Sequence, residues 1–251
     1  MAKIDIGLRQ VRRLANLSYE ERLGFIAAGL PILLESSRSL YAASQTVSEM
    51  TREANVLKGL AEEEAAKILI LIDIMRCPRK LVGGRIGAMM GWFYDHLARL
   101  LYAEACGWRP INLKELRGII DQRRVAYYLE GEMGEFIAPN SLIYQRESRL
   151  YADIEALDDG TLQWVAPSGY KSFYERTPDA LLVAEALSTI GAFSKEGLHI
   201  ISQVWSDVDF HDETTCHESD RLIEATLRTL IDANLPSELA TDDHIQILYA
   251  R

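Results

Sequence analysis

Cysteine is scarce: Cys77, Cys106 and Cys216 stand far apart in a chain of 251 residues, with no Cys-x-x-Cys pair. That spacing excludes a disulfide framework and a zinc-knuckle pattern, and it fits reduced thiols in a cytoplasmic protein. Long apolar runs are missing as well. The most apolar stretches, 68–72 and 86–94, fall far short of the ~20 residues that a membrane-spanning helix needs. The charged start, 1–13, lacks the apolar core of a signal peptide, so a soluble protein with no membrane association is expected. Positive charge is in deficit, with 27 Lys and Arg against 37 Asp and Glu and a net charge of −10. This argues against a dedicated duplex-DNA binder, whose affinity comes largely from counterion release by basic side chains. Any nucleic-acid role requires a local basic patch.

Only seven prolines occur, scattered, and no repeat or low-complexity tract marks a boundary. A single helical domain over 1–251 is therefore expected, large enough to bury roughly 70–75% of the unfolded chain's surface. Ser18 followed by Glu21 reads as a capping box opening a helix towards Gln45, with Pro31 as a kink or break. A second helix is expected from Ser48 to Arg76, stopped by Pro78, and a third from Gly84 to Cys106, closed by Gly107 and Pro110. Asn112 caps a fourth, running to about Glu130, and a shorter fifth begins near Pro139. The segments 151–156 and 161–166 flank Asp158-Asp159-Gly160 and read as a β-hairpin. Two long helices, 177–205 and 217–234, complete an all-α, up-and-down bundle with one small hairpin.

Some charges do not fit a solvated helix face. Glu64 shares the spacing of Leu57, Leu60, Ile68, Leu71 and Met75, while Glu63 shares that of Val56, Lys67, Ile70 and Ile74. Lys58, Glu62 and Asp73 define the solvent face. Glu63 and Lys67, at i and i+4, are placed to pair. On the third helix His96 and Arg99 turn inward beside Met89, Trp92 and Ala103. Such clustering suits either a polar network that orders the bundle or acid–base chemistry in a helix groove. Arg146 and Arg149, one turn apart, can hold a phosphate or carboxylate through forked hydrogen bonds, or can answer the helix dipole.

Other features have plainer readings. Gly83, Gly87 and Gly91 recur every four residues and permit close helix packing; no phosphate-loop motif accompanies them. His211, Cys216, His217 and their acidic neighbours have neither zinc-finger nor H-E-x-x-H spacing, so a polar loop with Glu218 in a first helical turn is expected. No metal and no cofactor is expected. Arg76, Arg79, Lys80 and Arg85, with Arg117, Arg123 and Arg124, are the candidates for an RNA-contacting patch.

Taken together, these residues resemble the AbiV family of bacterial abortive-infection proteins, within the HEPN superfamily. The likeness lies in Glu63-Glu64-Ala65-Ala66-Lys67, in Phe93, His96 and Arg99, and in Arg146-Glu147-Ser148-Arg149-Leu150-Tyr151-Ala152-Asp153 leading to Pro167. It covers residues 25 to 170, inside a family-like core of 15–170. The remaining C-terminal extension, 171–251, has no family pattern. The resemblance implies an HEPN-like bundle that acts as a homodimer in phage defence, arresting translation or cleaving RNA without a metal, with a phage-encoded protein as trigger. Many HEPN proteins pair Arg-x4–6-His motifs for this chemistry. Here no histidine completes that motif, and Arg146 is followed at the matching distance by Tyr151, whose ordinary pKa near ~10 makes it a poor base. The site implied is His96 as acid or base and Arg146 on the phosphate. Lys67 and Glu64 would position His96 and the substrate, with Tyr151 nearby and Glu63, Arg99 and Asp153 in the surrounding network. The alternative is a non-catalytic module that binds a phage or host protein.

Overall fold

The computed structural model describes residues 13–129, 136–138, 140–156, 159–168 and 176–249. The chain start up to residue 12, and Glu130, Pro139 and Asp158 as boundary markers, lie outside them. The architecture is mainly helical, as expected.

Helix α1 (Tyr19–Thr46) opens on the capping box: Ser18 Oγ accepts from the Glu21 amide and the Glu21 carboxylate accepts from the Ser18 amide. It continues unbroken through Pro31, which is exposed. Leu23, Ile26, Leu30 and Leu34 recur about a quarter turn away and are buried, so core packing holds the helix across the one backbone bond that proline removes. By length and composition α1 is, among the described residues, the one helix able to cross a membrane. That same stripe packs into the bundle. Buried Ser37 donates to the Ala61 carbonyl at 2.7 Å and ties α1 to α2 (Thr51–Arg76).

Helix α2 is the central strut and contacts α1 together with five other helices: α3 (Arg79–Trp92), α4 (His96–Ala105), α6 (Ser141–Leu150), α7 (Asp179–Thr189) and α8 (Lys195–Val204). Ala61, Ala65, Ala66, Ile68, Ile70 and Ile72 have at most 1% exposure, and small side chains at 61, 65 and 66 let neighbouring helices approach. The single third helix expected over 84–106 is instead α3 and α4. Gly91 weakens the end of the first. Asp95 then starts the second by accepting from the Ala98 amide at 3.0 Å, so local capping overrides continuous apolar periodicity.

Asn112 caps α5 (Leu113–Arg124) as expected, but the helix ends well before 130. Strands β1 (Tyr127–Leu129) and β2 (Phe136–Ala138) follow as an antiparallel hairpin that the sequence reading had not separated from that helix. The expected hairpin is present as β3 (Asp153–Ala156) and β4 (Leu162–Val165). Its apolar side chains Ile154, Leu162 and Trp164 are exposed, Trp164 by 77%. The long helix expected over 177–205 is divided into α7 and α8 at Gly191, whose φ of 86° lies in the left-handed region and interrupts the helix. Helices α9 (Cys216–Asp232) and α10 (Asp242–Tyr249) end the described chain, the last one unforeseen.

Candidate functional site

The carboxylate of Glu63 is the centre of the polar cluster. It projects from the middle of α2 with 3% exposure, between Ile70 and Ile74 in helical phase, both buried. Three side chains from two other helices converge on it. His96, the first residue of α4, brings Nδ1 to 2.8 Å from Glu63 Oε2. Arg99, one turn on, brings a terminal guanidinium nitrogen to 3.1 Å from the same oxygen. Arg146, from α6, donates through Nε to Glu63 Oε1 at 2.7 Å and through a terminal nitrogen to Glu147 at 2.5 Å. Arg99 also donates to the carbonyls of Tyr94 and Asp95 in the turn before α4, so the break between α3 and α4 fixes its fork.

Burial alone would raise the Glu63 carboxyl. Hydrogen bonds from Arg146 and His96, and the charges of Arg99 and Arg146, outweigh it and hold the group below the ordinary carboxylate range. Glu63 is therefore ionised. His96 Nδ1 lies 2.9 Å from an Arg99 nitrogen as well as 2.8 Å from Glu63. A protonated Nδ1 satisfies the carboxylate; a bare one would set a lone pair against it. The Arg99 nitrogen, a donor only, asks the opposite of Nδ1, so these contacts do not choose the tautomer; where Nδ1 carries the proton for Glu63, Nε2 is the lone-pair nitrogen. The His96 side chain is 47% exposed, so the ring is held on one edge and open on the other. No family model, curated protein or solved structure matches the chain.

The placement corrects several expectations. Lys67 pairs with Glu64 rather than Glu63, and it also stands 5.5 Å over the Phe93 ring. The carboxylate that orients His96 is Glu63, not Glu64, because Glu63 faces α4 and α6. Tyr151 is 59% exposed and joins the cluster only indirectly, its amide donating to the Glu147 carbonyl. Asp153 is exposed in β3 and accepts from the Ile154 amide. Neither reaches Glu63.

Most of the expected basic patch is already engaged. Arg76 pairs with Asp73 at 3.3 Å and lies 5.0 Å over Trp205; Arg79 donates to Gln203 at 2.8 Å. Lys80 pairs with Asp209 and Arg123 with Glu104, each at 2.7 Å, and Arg117 pairs with Asp212. Arg85 and Arg124 are exposed, with no ion pair among the described residues. The 209–218 run supplies two of these partners, Asp209 and Asp212, and a capping box, in which the Thr215 hydroxyl accepts from the Glu218 amide and the Glu218 carboxylate accepts from the Thr215 amide.

Beside Glu63 opens a cleft of about 1230 Å³, lined by α2, α4, α6 and the start of α7. Glu62, expected on the solvent face, lines it and is half-buried. Burial pushes its carboxyl above the ordinary value against the pull of Lys58 and Arg149, with Asp179 and Glu63 adding to the rise. Sequence reasoning missed Glu62 because Lys58, Glu62 and Asp73 read together as the solvent face; α6 and α7 covering that face leave no local signal.

Proposed function

We propose that the chain is an HEPN-like abortive-infection effector of the bacterial cytoplasm, working as a homodimer that cleaves RNA or otherwise arrests translation. The observation that carries this reading is His96 held through Nδ1 by a buried, ionised Glu63, with Arg99 and Arg146 alongside. A carboxylate on one imidazole nitrogen orients the ring and favours the imidazolium that forms at the other during proton transfer. Nε2 would take the proton of an RNA 2′-hydroxyl as its oxygen bonds to phosphorus, and the imidazolium would return a proton to the 5′-oxygen as that bond breaks. Arginine charge nearby favours the phosphorane-like transition state. No metal enters these steps, and both oxygens of Glu63 already accept from cationic or imidazole donors. Purified protein incubated with total RNA should release fragments with 5′-hydroxyl ends, lost in His96→Ala. Cleavage unchanged by that substitution, or none in the presence of infected-cell extract, removes the nuclease.

One observation favours a second reading, an interaction module triggered by a phage protein. The arginine forks are largely filled by Glu63, Glu147 and backbone carbonyls, as in a network that orders a bundle. A stoichiometric protein partner recovered from infected cells, with toxicity that survives His96→Ala, would select it.

A further inference from the structure

Five basic side chains line the cleft beside Glu63, and three are neutralised within the chain. Arg146 is held by Glu63 and Glu147, Arg123 by Glu104 at 2.7 Å and Arg176 by Asp179 at 2.6 Å. Lys58 and Arg149 are different. Neither side chain makes an ion pair or hydrogen bond among the described residues, although both are half-buried. Lys58 stands on α2 and Arg149 on α6, both lining the cleft, and the charges of both act on the carboxyl of Glu62, which itself makes no hydrogen bond among the described residues. Cations withdrawn from water without a partner are unfavourable, and an arriving anion relieves that deficit. In a chain of net charge −10, two uncompensated cations facing one cavity are a local exception.

We propose that Lys58 and Arg149 form the anion-binding end of this cleft and that its ligand carries a phosphate monoester. The choice rests on charge. A phosphate monoester brings about −1.5 to −2 at neutral pH, matching two cations beside a carboxyl that its surroundings push towards the neutral form. A carboxylate or a phosphate diester brings half as much. Leu60, Leu100, Leu142 and Leu150 supply apolar wall for an organic body, and the volume exceeds the ~300–1,000 Å³ typical of small-ligand sites. A mononucleotide and the 5′-phosphorylated end of an RNA strand share this chemistry. The assignment goes beyond the proposed cleavage, since it requires binding only and leaves His96 outside the cleft lining.

The test is calorimetric titration of the full chain with adenosine 5′-monophosphate, adenosine, and a short RNA with and without a 5′-phosphate. Binding of the monophosphate points to a free nucleotide, and binding of the phosphorylated RNA alone points to a strand end; each supports the site. In either case the matching probe without phosphate should bind at least about tenfold more weakly. Lys58→Met and Arg149→Met should each weaken binding by about tenfold or more, with circular dichroism unchanged; Arg149→Lys should restore part of it. Glu62→Gln should retain or tighten binding. No binding of any probe, indifference to the phosphate, wild-type affinity in both Met variants, or loss of binding in Glu62→Gln would each overturn the assignment. His96→Ala should bind like wild type, so a failed nuclease assay and a failed phosphate site read out separately.

Discussion

Burial raises both adjacent carboxyls on α2, yet their net shifts run in opposite directions because only Glu63 is met by cationic and imidazole hydrogen-bond donors. Glu63 is stabilised as an anion by Arg146, His96 and Arg99, so its folded-state pKa lies below the unfolded value near ~4.3. Its contribution to stability is present above that value and disappears as pH falls through the lowered folded pKa. Glu63→Gln should flatten the acid limb of the stability–pH curve. At neutral pH it should cost about 3–5 kcal/mol, because Arg99, 10% exposed, would lose its countercharge and Arg146, 15% exposed, would keep only Glu147. Urea denaturation across pH reads both effects. Glu62 lies the other way: with its folded pKa raised by burial, stability falls as pH rises from the unfolded pKa through the folded one. Glu62→Gln should therefore stabilise the protein at neutral pH, with the gain vanishing below pH ~4. The same titration that shows a loss for Glu63→Gln should show a gain here.

At the scale of the element, the periodicities that place apolar residues also reveal Glu63 as inward, since it repeats with Ile70 and Ile74. What they cannot give is which of two neighbouring carboxylates meets the histidine. That depends on α4 being a separate helix, and the Phe93–Asp95 turn that creates it rests on a single cap and a weak glycine end. That break is local, whereas the one at Gly191 is seated by tertiary contact with Leu235. Helix α3 is a further case. Its every-fourth glycines suggest close packing, yet an added Cβ at Gly83, Gly84, Gly87 or Gly91 would meet nothing within 4 Å. The intrachain packing expected from that spacing is absent among the described residues, and the glycines only weaken the helix. Gly87→Ala should raise stability by about 0.5–1 kcal/mol in chemical denaturation. A loss instead would indicate that another surface approaches α3.

Across the whole molecule, the fold class and the inward polar residues were legible, while the pairings that neutralise the basic segments were not. Lys80 with Asp209, Arg117 with Asp212 and Arg123 with Glu104 join different elements, and in the first two cases residues far apart in sequence. A sequence scan for positive clusters sees one partner of each pair only. Long-range closure also explains Gly191. Its positive φ and the 2.7 Å approach that a Cβ there would make to the Leu235 side chain seat the α7–α8 turn against the segment after α9. Gly191→Ala should lower the thermal midpoint, the strained backbone alone costing about 1–3 kcal/mol. A wild-type midpoint would mean both that the turn can leave its positive φ and that the α9–α10 segment can move aside.

The exposed hairpin gives the protein a built-in optical gauge. Trp205 is 7% exposed and stacks near Phe210, whereas Trp164 stands on β4 almost wholly in water. Acrylamide should quench a red-shifted component of the tryptophan emission that Trp164→Phe removes. Whatever docks against the hairpin would shift that component towards the blue while the Trp205 signal stays fixed, so engagement of this arm can be followed by colour.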